Sequence, residues 1–190
     1  MELAEAVEQA RAVVGASRRI VALTGAGIST DSGIPDFRGP QGLWTKDPEA
    51  EKRATLQVYV ADPDVRRRAW RNRIESPTRE ALPNAGHEAL VTLERQGVLD
   101  TLVTQNVDGL HLDAGNDPDR VVEIHGTMRF VACLSCGTRT PMTEVLDRVR
   151  AGEDDPACTA TMPEGECGGI LKSAIISFGQ NLVVEDLVRS

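Results

Sequence analysis

Four groups of residues in this chain have the types and spacing to do chemistry. Gly25-Ala26-Gly27 follows the apolar run Ile20-Val21-Ala22-Leu23. A glycine turn at the end of a strand lets the backbone pass close to a pyrophosphate, and free N–H groups at the start of a following helix favour an anion. Gln105-Asn106-Val107-Asp108 follows a second apolar run, 98–104, and His125 follows a third, Val121-Val122-Glu123-Ile124. Imidazole titrates near about pH 6.5, which suits general acid–base work at neutral pH. The fourth group is Cys133, Cys136, Cys158 and Cys167. Cys133-x-x-Cys136 can present two thiolates to one ion, and Cys158 and Cys167 would complete a four-sulfur tetrahedral zinc site. With every position filled by protein, such an ion is structural.

Each group also has a plainer reading. A single histidine at a strand end is more often structural, and Gln105, Asn106 or Asp108 would cap a following helix. The glycine turn departs from the usual dinucleotide fingerprint. Thr30 stands at the third glycine, and no second strand follows to carry the acidic residue. A hydride-transferring dehydrogenase is therefore disfavoured. Cys158 and Cys167 stand further apart than in most zinc ribbons, although Pro163 and Gly165 let 159–166 loop out. The alternative is four unrelated reduced thiols with a redox-active Cys133-x-x-Cys136.

The elements that must position these groups are visible in the hydrophobic pattern. Leu3, Ala6, Val7, Ala10, Val13 and Val14 recur at helical spacing over 2–17. Strands are expected at 19–24, 98–104 and 121–124, a helix from Asn84 to Gly97, and a short helix over 108–114 closed at Gly115. The stretch 32–83 is punctuated by Pro35, Gly39, Pro40, Gly42, Pro48, Pro63 and Pro77, with helical pattern only at 49–60 and 64–75. Residues 133–168 form a separate cysteine module, and 170–178 is apolar and returns to the main body. Strands alternating with helices predict an α/β fold with a parallel sheet covered on both faces. Ligands bind outside the carboxyl ends of such strands, and right-handed crossovers would bring all three ends to one rim. His87 and His111 read as structural, and the arginine cluster 66–73 as a solvated helix face, with an anion contact as the sharper alternative.

The bulk numbers set outer limits. A formal charge of −8 argues against a general nucleic-acid binder. No apolar run is long enough to span a bilayer, and the acidic start Met1-Glu2-Leu3-Ala4-Glu5 is not a secretion signal. A cytoplasmic location is expected, where reduced cysteines are more often metal ligands than disulfides.

Gly25-Ala26-Gly27-Ile28-Ser29 and Ser32-Gly33-Ile34-Pro35-Asp36-Phe37-Arg38 resemble the sirtuin signature. So does Thr104-Gln105-Asn106-Val107-Asp108-Gly109-Leu110-His111, followed by His125-Gly126. The resemblance implies an incomplete Rossmann-like doubly wound parallel sheet with a small zinc-ribbon domain. The first part of the NAD-binding domain would cover 1–128, with a helical and cofactor-loop insert at 32–83. The zinc module would cover 129–172, and 173–190 would return to the first domain.

The resemblance further implies an NAD-dependent protein-lysine deacylase (a deacetylase) that yields nicotinamide, free lysine and O-acyl-ADP-ribose. Its substrates would be acyl-lysine proteins or peptides, with NAD as co-substrate and one structural zinc. His125 would be the general base on the ribose hydroxyls, with Asn106 and Asp108 also catalytic. Gly25, Ala26, Gly27, Ile34, Asp36, Phe37, Arg38, Gln105, Asn106 and Asp108 would contact the cofactor, Asp108 and the backbone near Ile34 holding the carboxamide. A mono-ADP-ribosyltransferase and a non-catalytic zinc and NAD-binding module are the alternatives.

Three departures qualify the likeness. The chain stops at Ser190, before the family's adenosine-binding half, so the isolated chain is expected to be weakly active or inactive and poorly stable. Gln180 stands where many relatives have Glu. Trp70-x-x-Arg73 is an imperfect match to the Tyr-x-x-Arg of desuccinylase-type relatives, which favours neutral acyl groups.

Overall fold

The amphipathic pattern at the start folds as α1 (Leu3–Ala16), ended at Ser17, whose N–H returns to Val14 O. Its apolar side is uncovered: Leu3 is 80% and Val13 68% exposed. β1 (Ile20–Thr24) follows, and alternation along it leaves Val21 and Leu23 outward and exposed. The computed structural model describes residues 2–40, 42–47 and 55–190.

After Gly25 the chain enters a 3-10 helix, Ala26–Ser32, closed by Gly33 in the left-handed region. The loop beyond it turns back at α2 (Leu43–Lys46). α3 (Leu56–Ala61) and α4 (Pro63–Glu75) then form a helical pair. The part of the expected helix 49–60 that precedes Thr55 lies outside the described residues. Asp62 caps α4 by accepting from the N–H of Asp64 and Val65, with Pro63 in the first turn, a favoured N-terminal arrangement.

α5 (Ala85–Arg95) starts at the Asn84 cap, where the sequence places it. It leads to β2 (Leu99–Thr104), α6 (Leu110–Ala114) and β3 (Val121–Glu123). The three strands are parallel in the order β1-β2-β3. Leu99, Leu102 and Val121 form the core under this sheet, covered by Leu90 and Leu93 of α5 and Leu112 of α6. Thr24 pairs with Thr104, and Thr104 with Glu123, so the carboxyl ends are level. The ladder runs one residue further, Gln105 N–H to Thr24 O at 3.0 Å and Ile124 N–H to Thr104 O at 3.1 Å. Whatever follows each strand therefore emerges on one edge.

A second, antiparallel sheet is ordered β5-β4-β8, with β4 (Gly126–Cys133), β5 (Arg139–Pro141) and β8 (Leu171–Ile175). α7 (Met142–Arg150) packs on it through Met142, Val145, Leu146 and Val149. A small hairpin of β6 (Thr161–Met162) and β7 (Gly165–Glu166) projects between the last two cysteines. α8 (Val184–Arg189) closes the described chain. The apolar run 170–178 thus pairs with β4 rather than adding a parallel strand, because Leu171, Lys172 and Ser173 meet Cys133, Ala132 and Val131 in antiparallel register.

The arginine cluster divides by helix face. Arg66, Trp70 and Arg73 share the side of α4 that docks on the cysteine module, at spacings of four and three. Trp70 is fully buried in its core with Val131, Val145 and Leu146. Arg66 grips Asp155 through Nε and Nη2, with 12% and 21% of the two side chains exposed. Arg73 Nη2 donates to Ser173 Oγ at 2.6 Å. Arg67, with 39% of its side chain exposed, pairs with Asp64 of the same helix, so the solvated-face reading holds for Arg67, Arg68 and Arg71.

Candidate active site and metal centre

The level strand ends place the glycine turn, the Gln105–Asp108 segment and His125 side by side. Asn106 sits at the centre, 8% exposed. Its Nδ2 donates to Gly25 O and to Ser29 Oγ, each at 3.1 Å, and its backbone N–H donates to Thr104 Oγ1 at 3.0 Å. Ser29 Oγ in turn donates to Asp108 Oδ2 at 2.8 Å. The other oxygen of Asp108 accepts from Leu110 N–H at 2.9 Å. The N-cap of α6 is Gly109, not Asp108, so the plainer reading of Asp108 as a helix cap does not hold, and its carboxylate braces the segment before the helix. Gln105 lies against the turn, its Nε2 3.5 Å from where a Cβ on Gly25 would stand.

His125 is half-buried, and its Nδ1 lies 3.0 Å from Gln105 O. A carbonyl only accepts, so Nδ1 carries the proton. In the neutral ring the basic lone pair is then on Nε2, the tautomer a general base acting through Nε2 needs.

Ser29 is the residue that sequence reasoning missed as an individual. It is 1% exposed and bridges Asn106 to Asp108. Its place inside the turn motif was the only signal. Asn84 was also missed: beyond capping α5, its Nδ2 donates to Ile28 O at 2.8 Å and Ser32 Oγ at 2.9 Å, which fastens the 3-10 helix to α5.

The cofactor loop is tied on more loosely. Ile34, half-buried, returns its N–H to Ser29 O at 3.2 Å. Asp36 folds onto its own loop, taking Gly39 N–H at 3.0 Å, while Phe37 and Arg38 stand exposed beyond it. Gly42 has to be glycine here, since a Cβ would come within 2.5 Å of the Phe37 carbonyl carbon.

The site fits a dinucleotide at the turn. A Cβ on Gly27 would meet nothing within 4 Å, so space lies open over the backbone. The helix expected after the turn is a seven-residue 3-10 helix, so its dipole adds little and the turn's own backbone N–H groups are what it leaves to meet an anion.

The four cysteine sulfurs lie within 4.8 Å of one another. Cys133 Sγ is 3.7 Å from Cys167 Sγ, and Cys136 Sγ is 3.7 Å from Cys158 Sγ. Zinc–sulfur bonds of about 2.3 Å in a tetrahedron put sulfurs about 3.8 Å apart, so the donor set fits zinc. The N–H groups of Ser135 and Cys136 point at Cys133 Sγ, at 3.3 and 3.5 Å, as a thiolate requires. The long Cys158–Cys167 spacing is taken up by the β6–β7 hairpin. Gly168 N–H to Cys158 O and Cys167 N–H to Ala160 O, each 2.9 Å, close its base.

Comparisons with known proteins agree with this geometry. The sequence profile of the Sir2 family matches residues 25–190. The chain is 53% identical over 163 residues to NAD-dependent protein deacetylase 2 of Streptomyces coelicolor, covering 86% of this chain and 65% of that protein. It is 44% identical over 181 residues to an NAD-dependent protein deacetylase of Sulfolobus acidocaldarius, covering 95% of this chain and 67% of the relative. A solved Sir2–p53 peptide–NAD+ complex superposes with a TM-score of 0.76 at 32% identity, over 99% of this chain and 69% of that one. The chain thus spans roughly two thirds of the length of the proteins it matches. On the profile, the relatives and the shared fold together, the chain belongs to the Sir2 family.

Proposed function

We propose that this chain carries the nicotinamide-releasing and acyl-transfer machinery of an NAD-dependent protein-lysine deacetylase. The observation that carries the reading is the Asn106 amide, which joins the glycine turn to the Ser29–Asp108 pair beside a His125 whose Nδ1 is the protonated nitrogen. NAD, when bound, supplies the activated glycosidic bond and the ADP-ribose acceptor.

The chain's residues do the rest. Asn106 Nδ2 and Ser29 Oγ hold the wall of the crevice against the turn, so reacting groups meet in fixed geometry. Asp108, anchored by Ser29, offers a carboxylate to the carboxamide of the leaving group. His125 Nε2 accepts a proton from a sugar hydroxyl while Gln105 O steadies the Nδ1–H and the positive charge that develops on the ring. Phe37, on the exposed cofactor loop, is the residue assigned to shield the sugar face. The four cysteines hold one structural zinc, which fixes the antiparallel sheet that begins at Gly126, next to His125. The substrates are acyl-lysine proteins or peptides. A reducing cytoplasmic setting suits the four free thiols.

The test is mass spectrometry of products from NAD and an acyl-lysine peptide panel, on this chain and on a version continued past Ser190. Equimolar nicotinamide, free lysine and O-acyl-ADP-ribose are expected. ADP-ribosylated protein in their place would make it a mono-ADP-ribosyltransferase, and no nicotinamide from either version would leave a binding module.

A further inference from the structure

Two imidazoles beneath the crevice take no part in the reading above. His87 of α5 and His111 of α6 are 0% and 2% exposed, with ring centres 4.9 Å apart and planes tilted by 54°. Their neighbours settle which nitrogen holds each proton. Asn84 N–H donates to His87 Nδ1 at 3.3 Å, so in the neutral ring Nε2 carries the hydrogen. Thr24 Oγ1 gives its one proton to Thr104 Oγ1 at 2.8 Å. Toward His111 Nε2, 2.9 Å away, it can therefore only accept. Nε2 of His111 is then the donor and Nδ1 is bare.

The atoms left over are His87 Nε2 and His111 Nδ1, and both are buried without a partner. One is a donor and the other an acceptor. Leaving a buried donor and a buried acceptor unpaired is costly, because each has given up its bond to water. A ring-to-ring hydrogen bond of about 2.9 Å, between nitrogens each about 1 Å from their ring centres, spans about 5 Å between centres. At 4.9 Å the ring centres are close enough for such a bond, although the two nitrogens do not yet meet in the present setting of the rings.

We propose that His87 and His111 form a neutral pair, both protonated on Nε2, joined by a hydrogen bond from His87 Nε2 to His111 Nδ1. The pair closes a polar chain across the molecule. It runs from Ile28 and Ser32 through Asn84 to His87, then His111, Thr24, Thr104 and the backbone of Asn106. That chain locks the cofactor-loop side of the crevice to its Asn106 side. Both histidines are positioning residues, since they reach the site only through others. Burial supports the neutral state by lowering both groups, His111 to about 4, with His87 lowering it further and Asp108 opposing. Protonating either ring would set N–H against N–H and break the chain.

Nitrogen NMR of histidine-labelled chain tests the pair without reference to activity, and three histidines make assignment direct. His87 and His111 should both read as Nε2–H at pH 7.5, and both should stay neutral through the ordinary imidazole range, His111 down to about 4, while His125 shows the opposite tautomer. An Nδ1–H form at His87 or His111, or titration of either near 6.5, overturns the proposal. The kinetic consequence rests on the deacetylase reading. His111→Gln, which keeps a donor and an acceptor, should hold KM for NAD within about threefold, and His111→Leu should raise it about tenfold. Equal effects of the two variants would contradict the positioning role. A parent protein that releases no nicotinamide defeats the deacetylase reading alone, because the tautomers still report on the pair.

Discussion

Ser29 and Asp108, separated by 79 residues in the chain, share a hydrogen bond of 2.8 Å across the crevice. The same serine hydroxyl takes the Asn106 amide at 3.1 Å. One buried oxygen therefore holds two of the groups assigned to the chemistry in a single arrangement.

Ser29→Ala removes that oxygen and leaves an amide proton and a carboxylate oxygen short of partners. We expect a stability loss of about 1–3 kcal/mol. Turnover should fall by more than that loss accounts for, since Asp108 is freed to move. Urea midpoints and NAD turnover on the same preparation check both. A stability loss with normal turnover would remove Ser29 from the site.

The metal prediction concerns stoichiometry and spacing together. One zinc per chain is expected, and Cys158→Ser or Cys167→Ser should each abolish it. A structural zinc supplies on the order of 10 kcal/mol to a small module, so its loss should unfold the β5-β4-β8 region. Replacing 161–166 by two glycines should keep the zinc, because the hairpin lies outside the sulfur cluster. Metal analysis by plasma mass spectrometry reads all three. Zinc lost with the hairpin would show that β6 and β7 shape the site.

Docking of α4 on the cysteine module predicts unequal arginines. Arg66→Ala strands the half-buried Asp155 and should cost about 3 kcal/mol. Arg68→Ala, on the solvated side, should stay within about 0.5 kcal/mol. Chemical denaturation compares the two, and equal costs would mean that α4 does not dock.

Much of this was legible beforehand, and the reasons differ by element. α1, α5 and the three strands show in hydrophobic period, and Asn84 announces α5 because a cap is a local signal. Asn106, Asp108 and His125 were readable as neighbours because strand ends in a parallel sheet share a rim. The bridge through Ser29 was not, since it depends on register between strands 80 residues apart. Nor was the inward turn of Arg66 and Arg73: period reveals the buried face of α4 only once its partner surface is known. The 3-10 helix after Gly25 escaped because no short pattern separates it from an α-helical start.

Lys172 gives a pH signature. It is 4% exposed and donates to the carbonyls of Ser173 and Ile175. Burial first, and Arg73 second, push it down from 10.5 to about 8. The folded state thus binds fewer protons than the unfolded one between those values, so this group makes stability rise with pH from about 8 to 10.5. The difference in urea midpoint between the parent and Lys172→Met should shift in the parent's favour over that window. A difference independent of pH would show that the lysine is not held at a lowered value.

The central claim is that His125 acts as a base within a crevice that binds NAD without it. His125→Ala tests this most directly, with NAD affinity by calorimetry and deacetylation by product mass spectrometry on one protein. The account predicts affinity within about threefold of the parent and turnover lower by about 100-fold or more. Undiminished deacetylation by the variant would contradict it.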